Sequence, residues 1–384
     1  MGDSCTTATS TGSHPIESAS AAPAFLKTVA TDPPPGGRLV DFFYETVQKS
    51  QWNINTALKK FVKDPVAFRG MLGQTSGIIS GQFALEFHDR RSIGDRLDVF
   101  VYGEMGGIGN AEFMSLAIDR EGYAVTHSYN HDEEHSAGTG EDNRYKTDVY
   151  QRPETDGRSI CLQNTRETPI VDLLSKGRQC TLALANFITS TKIYAPFARQ
   201  TFCERRAYLH GNLKEDPGEY LKSIAKAGCR LLGIRWKDLN NSTQLRKLTD
   251  GHSWCMDFDS TNVLAPATPS FVTDPTAFKY WATEIWDQNE HYYKVELSQI
   301  SYPALQYVWA HFCTVDAFLN TALAMEVSVL PKNQWPDNGN TSLRDLIRNN
   351  QLLQSDQLDL GARYDDMMPE WLRDQEEECI KRCS

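Results

Sequence analysis

The sequence predicts an α+β fold, a mixed sheet flanked by helices, followed by a mainly helical C-terminal region. Three observations carry this. Short runs rich in β-branched and aromatic residues, such as Leu97-Asp98-Val99-Phe100-Val101-Tyr102, read as strands. Stretches with apolar residues at helical intervals lie between them, without strict βαβ alternation. Of the 384 residues, 40% are hydrophobic and 10% aromatic, which is enough to build a sizeable core. A domain takes roughly 100–200 residues, so the chain accommodates two domains or one elaborated domain.

Residues 1–37 are rich in Ser, Thr, Ala and Pro and end in Pro33-Pro34-Pro35-Gly36-Gly37. Such composition buries too little apolar surface to order itself, and the segment reads as a disordered leader. It has neither a basic n-region nor an apolar h-region, so no secretory signal is expected in it. Gly2, Cys5 and Thr6 match an acylation motif only in part, and the leader reading is preferred.

Residues 38–260 carry the predicted mixed sheet. Phe42 to Val62 has apolar residues at helical spacing, and Asp64-Pro65 opens another helix that stops near Gly73. Gly77 to Ser80 is a short apolar run entering Gly81, Gln82 to His88 is a helix, and Leu97 to Tyr102 is a strand. A helix is predicted from Gly109 to Arg120, and strands at Tyr123 to Tyr129, Lys146 to Tyr150 and Arg158 to Asn164. Thr168-Pro169 opens a long helix reaching Ile188. Thr201 to Leu209 reads as helical, Pro217 to Gly228 as a helix and Cys229 to Ile234 as extended. Residues 261–364 read as a helical region, because Tyr280, Trp281, Ile285 and the aromatics up to Phe312 fit helical packing. A further helix is expected at Ser342 to Leu353. Residues 365–384 read as an exposed, charged tail.

Lys plus Arg number 39 against 50 Asp plus Glu, a formal charge of −11. That balance gives no general attraction to anionic membrane and argues against nucleic acid as a partner, although a local basic groove stays open. No stretch approaches the about 20 apolar residues of a membrane span. The nine cysteines are scattered and odd in number, unlike a secreted disulfide framework. They read as reduced thiols in an intracellular protein, cytoplasmic or nuclear. Cys379 and Cys383, the closest pair, lack His neighbours for a zinc site.

The informative constellation is Ile79-Ser80-Gly81-Gln82-Phe83-Ala84-Leu85-Glu86-Phe87, then a loop, then Asp95-Arg96-Leu97-Asp98-Val99-Phe100-Val101. Nucleotidyl transfer needs such a layout. A small-residue turn lets the backbone approach a triphosphate, and the following helix N-terminus supplies N–H groups. Metal ions that stabilise the attacking and leaving oxygens need carboxylates held close together. Two carboxylates two residues apart on one strand meet that need, because side chains alternate with period two.

The pattern resembles the DNA polymerase β-type nucleotidyltransferase superfamily, and more closely a group of fungal hypothetical proteins with a nucleotidyltransferase-like domain. Two later blocks match that group in order: Ala185-Asn186-Phe187-Ile188-Thr189 with Ala195-Pro196-Phe197 and Thr201-Phe202-Cys203-Glu204-Arg205-Arg206, then Cys229 to Asp257. The resemblance covers about residues 40 to 260. It implies a nucleoside triphosphate at Ser80, Gly81, Gln82 and Arg96, and Mg²⁺ with catalysis at Asp98, with Asp95 as a second candidate. The departures matter as much. The paired carboxylates fall on positions 96 and 98, which here hold Arg96 and Asp98. Gln82 replaces the second small residue of the turn. The strand from Ile160 to Asn164 has no third carboxylate. Asp95 would face away from Asp98 unless the strand bulges.

Two readings follow. One is a degenerate nucleotidyltransferase-like protein, a non-catalytic nucleotide-binding or interaction module. The other is an active Mg²⁺-dependent transferase that moves NMP to a protein, RNA or small molecule through Asp98, Asp95 and Glu86 or Glu104. A scaffold that keeps the fold as a relic is a third. Other clusters read more plainly. His127, His131 and His135 lie beside an acidic, glycine-containing loop that reads as solvated. Gly103, Gly106, Gly107 and Gly109 fit no phosphate-loop spacing. Lys192, Arg199, Arg205 and Arg206 have nearby carboxylates to pair with. Cys180 and Cys203 lack a local His–Asp companion set.

Overall fold

The computed structural model describes residues 51–102, 109–130, 146–153, 157–175, 180–210, 218–232, 243–285, 290–337, 339–355 and 364–383. The predicted leader and the helical reading of Phe42 to Val47 lie outside these. In chain order the elements are α1 (Ile54–Leu58), α2 (Pro65–Gln74), β1 (Ile78–Ser80), α3 (Gly81–His88), β2 (Arg96–Tyr102), α4 (Asn110–Arg120), β3 (Ala124–Asn130), β4 (Lys146–Gln151), β5 (Ser159–Thr165), α5 (Pro169–Ser175), β6 (Phe187–Ile188), β7 (Lys192–Ala195) and β8 (Arg206–Tyr208). There follow α6 (Gly218–Lys226), β9 (Arg230–Leu232), β10 (Gln244–Lys247), β11 (Trp254–Asp257), α7 (Ser270–Thr273), β12 (Ala277–Ile285), β13 (Glu290–Glu296), β14 (Ser298–Ile300), β15 (Trp309–His311), α8 (Asp316–Val329), α9 (Leu343–Arg348) and α10 (Met368–Cys383).

The predicted mixed sheet is present, as eight strands in the order β11-β7-β6-β1-β2-β5-β4-β3. Its described pairings are antiparallel except β2 with β5, which run parallel. Period-two alternation divides β1, β2 and β5 between two cores. Ile79, Leu97, Val99, Val101, Ile160 and Leu162 face α1 to α4. Ile78 and Phe100 face the other way, against Val171, Leu174, Phe187 and Tyr194.

Local chemistry sets the helix starts. The Asp64 side chain accepts from Val66 N and Ala67 N at 3.1 and 3.0 Å, with Pro65 in the first turn of α2. Arg69 then ties α2 inward. Its buried guanidinium donates to Ser190 O at 2.8 Å, and to Asn55 Oδ1 and Asp259 O at 3.0 Å each. Burial pulls its pKa down to about 10, which leaves it cationic at neutral pH.

Four readings of the sequence are corrected. The region Tyr280 to Phe312 is not helical: β12 pairs with β10 and β13, and β14 with β15. Phe278, Tyr280 and Ala282 are buried at every second position, a strand period that helical spacing of the larger aromatics obscured. Helices follow only from α8 onward. The long helix expected from Ile170 to Ile188 is not continuous: α5 is described as far as Ser175, and Leu182–Leu184 is a 3₁₀ turn followed by β6. Ser80 Oγ donates to Leu184 O and Asn186 O, carbonyls that a continuing helix would use itself. Thr201 to Leu209 divides into a π-turn at Arg199–Cys203 and β8.

The fourth correction is the tail, which is α10 rather than an exposed end. Met368, Trp371 and Leu372 are buried in a third core with Trp309, Leu319, Leu323 and Leu346. Asp365, just before α10, is buried and accepts from Gln306 N at 2.6 Å, Tyr307 N at 3.1 Å and Trp309 Nε1 at 3.0 Å. Removing that carboxylate leaves three donors without their partner, one of them the buried Trp309 Nε1. Asp365→Ala is therefore expected to lower unfolding stability by about 3 kcal/mol in denaturant titration, whereas an exposed tail would leave it unchanged.

Candidate functional site

β1 enters the tight turn at Gly81, whose φ of +72° is a conformation that glycine adopts without a Cβ penalty. α3 starts there and returns the chain to β2 beside β1. Ser80 pairs with Asp98 across β1 and β2, and Asp98 pairs with Cys161 across β2 and β5. The predicted turn and the predicted carboxylate are thus neighbours in the sheet.

The polar groups around the turn already have partners. Ser80 Oγ is buried and donates to Asn186 O at 2.7 Å and Leu184 O at 3.2 Å. Gln82 Nε2 donates to Glu86 Oε1 at 2.7 Å, and Glu86 Oε2 accepts from Gly94 N at 2.6 Å. A Cβ on Gly94 would come within 2.9 Å of Gln82 Nε2, so this loop closes tightly on α3. Glu86 pins that loop, and Glu104 lies outside the described residues.

Asp98 is fully buried. Arg96, two residues earlier on the same face of β2, donates through Nε at 2.8 Å and a terminal nitrogen at 2.7 Å, both to Asp98 Oδ1. Gln163 Nε2 lies 3.4 Å from the same oxygen. Oδ2 is buried with no hydrogen-bond partner among the described residues. β2 pairs with β5 in unbroken register from Arg96 to Tyr102, so no bulge brings Asp95 inward. Asp95 instead lies 2.9 Å from Lys60 Nζ, with 63% of its side chain exposed.

These residues do not fit a Mg²⁺ ion, which demands near-octahedral oxygen ligation. A guanidinium holds one oxygen of Asp98, Glu86 is taken by Gln82 and Gly94, and Asp95 points elsewhere. Cys161 stands opposite Asp98, and burial, reinforced by the Asp98 charge, pushes its thiol up to about 12, so it keeps its proton. Among the described residues no group of three or more His, Cys, Asp or Glu is placed to hold a metal ion.

The other sequence candidates make ordinary contacts where they are described. Arg199 and Arg206 meet Glu204 at 3.2 and 3.4 Å, Arg205 meets Asp89 at 2.7 Å, and Lys192 meets Asp274 at 2.9 Å. Burial pushes Cys180 up to about 11 and also raises Cys203, opposite to an activated nucleophile. His127 stacks on Tyr129. His131, His135, Gly103, Gly106 and Gly107 lie outside the described residues, and Gly109 caps α4.

Sequence reasoning missed Cys161 and Gln163. Their i, i+2 spacing on a strand flanking Asp98 was the available signal. It also missed His88 at the end of α3. That ring is buried against Phe202 and Trp254, and its Nδ1–H donates to Ala84 O at 2.7 Å. Comparison with protein-family models, curated proteins and solved structures finds no match to this chain. No helix among the described residues is long and apolar enough to cross a membrane.

Burial holds the His88 pKa down to about 3, against an ordinary 6.5. The unfolded chain takes up a proton at this residue that the folded chain refuses. The resulting stability is fully present above about pH 6.5 and is lost as pH falls toward the folded value. Between about pH 7 and about pH 5, the wild type is expected to lose about 2 kcal/mol more than His88→Phe in denaturant unfolding. Equal losses in the two proteins would mean that His88 titrates normally.

Proposed function

We propose that the chain is a degenerate nucleotidyltransferase-like protein, a non-catalytic nucleotide-binding or interaction module in which a cation has taken the place of a metal-binding carboxylate. The observation that carries this reading is the Arg96–Asp98 pair, with two guanidinium N–H groups on one carboxylate oxygen. The strand–glycine turn–helix–strand layout supports it, since Ser80 and Asp98 are paired across β1 and β2. Arg96 keeps 39% of its side chain exposed, so an incoming phosphate would meet a planar cation rather than a metal ion.

One observation favours the interaction half of this reading. β3 closes one end of the eight-stranded sheet, and all seven of its residues are exposed. Phe113 and Leu116 on α4 are exposed as well. A sheet edge of this kind can accept an added strand from a partner protein.

Calorimetric titration with ATP, GTP, CTP and UTP, in Mg²⁺, in Mn²⁺ and in EDTA, separates the possibilities. Nucleotide binding that persists in EDTA and in Asp98→Ala, and weakens about tenfold in Arg96→Ala, is the expected result. Binding that requires metal and disappears in Asp98→Ala would instead establish the active-transferase alternative. No binding to any nucleotide would leave the interaction role alone.

A further inference from the structure

A cavity of about 330 Å³ lies at the other end of β2 from Arg96 and Asp98. Tyr102, the last residue of β2, lines it, as does Thr168, just beyond the end of β5. The cavity therefore sits at the carboxyl ends of the parallel strand pair, where open sheets with parallel strands tend to bind ligands. Tyr102 is four residues beyond Asp98, about 13 Å along the strand. The connection from β6 to β7 and the segments around Thr268 and Gln306 supply other walls.

The lining has a distinct chemistry. Ser76, Thr189, Thr191, Thr268, Ser270 and Thr273 contribute hydroxyl-bearing residues, and Gln74, Asn110 and Gln306 contribute amides. Tyr102, Tyr194 and Tyr307 add aromatic rings. No described lining residue is charged. Some of the polar groups are already used: Ser76 and Thr268 share a hydrogen bond of 2.7 Å, and the Tyr194 hydroxyl donates to Asp274 Oδ1 at 2.7 Å. Two are not. Thr168 and Thr276 also line the cavity, and the Oγ1 of each is buried without a hydrogen-bond partner among the described residues. Thr276 is only 1% exposed.

A buried hydroxyl without a partner costs about 1–3 kcal/mol, and a fold seldom leaves two beside one cavity unless something else satisfies them. A phosphate or carboxylate brought here would lose its hydration without gaining a counter-charge. A neutral ligand that carries its own hydroxyls avoids that cost, because it can both donate to and accept from Ser and Thr. The tyrosine rings and the apolar side chains of Leu72, Ile78 and Val272 suit the apolar face of a ring. We propose that this cavity is a binding site for an uncharged, polyhydroxylated small molecule, a carbohydrate or a nucleoside without phosphate. The site is separate from Arg96 and Asp98 and does not depend on the reading given to that pair.

Ligand-observed saturation-transfer NMR followed by calorimetry tests this on the full chain. The probes are glucose, maltose, adenosine and uridine, with glucose 6-phosphate and UMP as charged counterparts, all at millimolar concentration. Thr276→Val removes the hydroxyl at nearly constant shape, and Ala267→Trp adds bulk at an exposed lining position. The expected result is binding of at least one neutral probe, with sugars or nucleosides identifying the source. That binding is about fivefold weaker in Thr276→Val and absent in Ala267→Trp, while both variants melt at or above the wild-type temperature. Failure of every neutral probe to bind overturns the proposal. So does binding of the phosphorylated counterparts as tightly as the neutral ones, or neutral binding unchanged in both variants.

Discussion

A carboxylate buried in the middle of a sheet has to be compensated, and the site is built around how Asp98 achieves this. Asp98 lies on β2 between β1 and β5, where water does not reach it. An unpaired charge there would cost several kcal/mol. The compensation comes from Arg96, which period-two alternation puts on the same face one step away. Both guanidinium nitrogens lie on Oδ1, so a divalent cation would have to displace Arg96 to use that oxygen. Breaking the pair would strand the buried carboxylate, although such a pair contributes little net stability over an apolar replacement.

The surrounding fold holds that geometry by cross-linking elements distant in sequence. Arg69 joins α2 to the β6–β7 connection and to the chain after β11. Ser80 fastens the glycine turn to the chain entering β6. At the far end, Asp365 gathers three donors from residues 306 to 309, and Glu376 on α10 meets both His311 and Lys247. The C-terminal helix thus belongs to the structure that carries β10 and β15.

Much of this was legible in the sequence where local rules are strong. The Asp64-Pro65 helix start, the Gly81 turn, α3, β2 and the strand pair β4 and β5 lie close to where turn chemistry and periodicity put them. The shared face of Arg96 and Asp98 also followed from strand period. The failures have physical causes. β12 and β13 are dense in large aromatics whose positions fit a helical interval as well as a strand. What decides between them is the partner strand β10, whose Gln244 pairs with Tyr280 from more than thirty residues earlier in the chain. In the tail, Glu370 and the acidic run from Asp374 to Glu378 hid the apolar stripe of Met368, Trp371 and Leu372. The cavity at the ends of β2 and β5 could not be read at all, because its walls come from segments scattered from Leu72 to Ala310.

We propose that Arg96 keeps a divalent cation from Asp98. Electron paramagnetic resonance of Mn²⁺ added to the wild type and to Arg96→Asp tests it most directly. The expected result is that the wild type leaves the Mn²⁺ spectrum of the free ion unchanged, while Arg96→Asp, with carboxylates at positions 96 and 98, acquires a bound signal. A bound signal in the wild type that vanishes in Asp98→Ala would contradict it, and would make Asp98 a metal ligand despite its guanidinium neighbour.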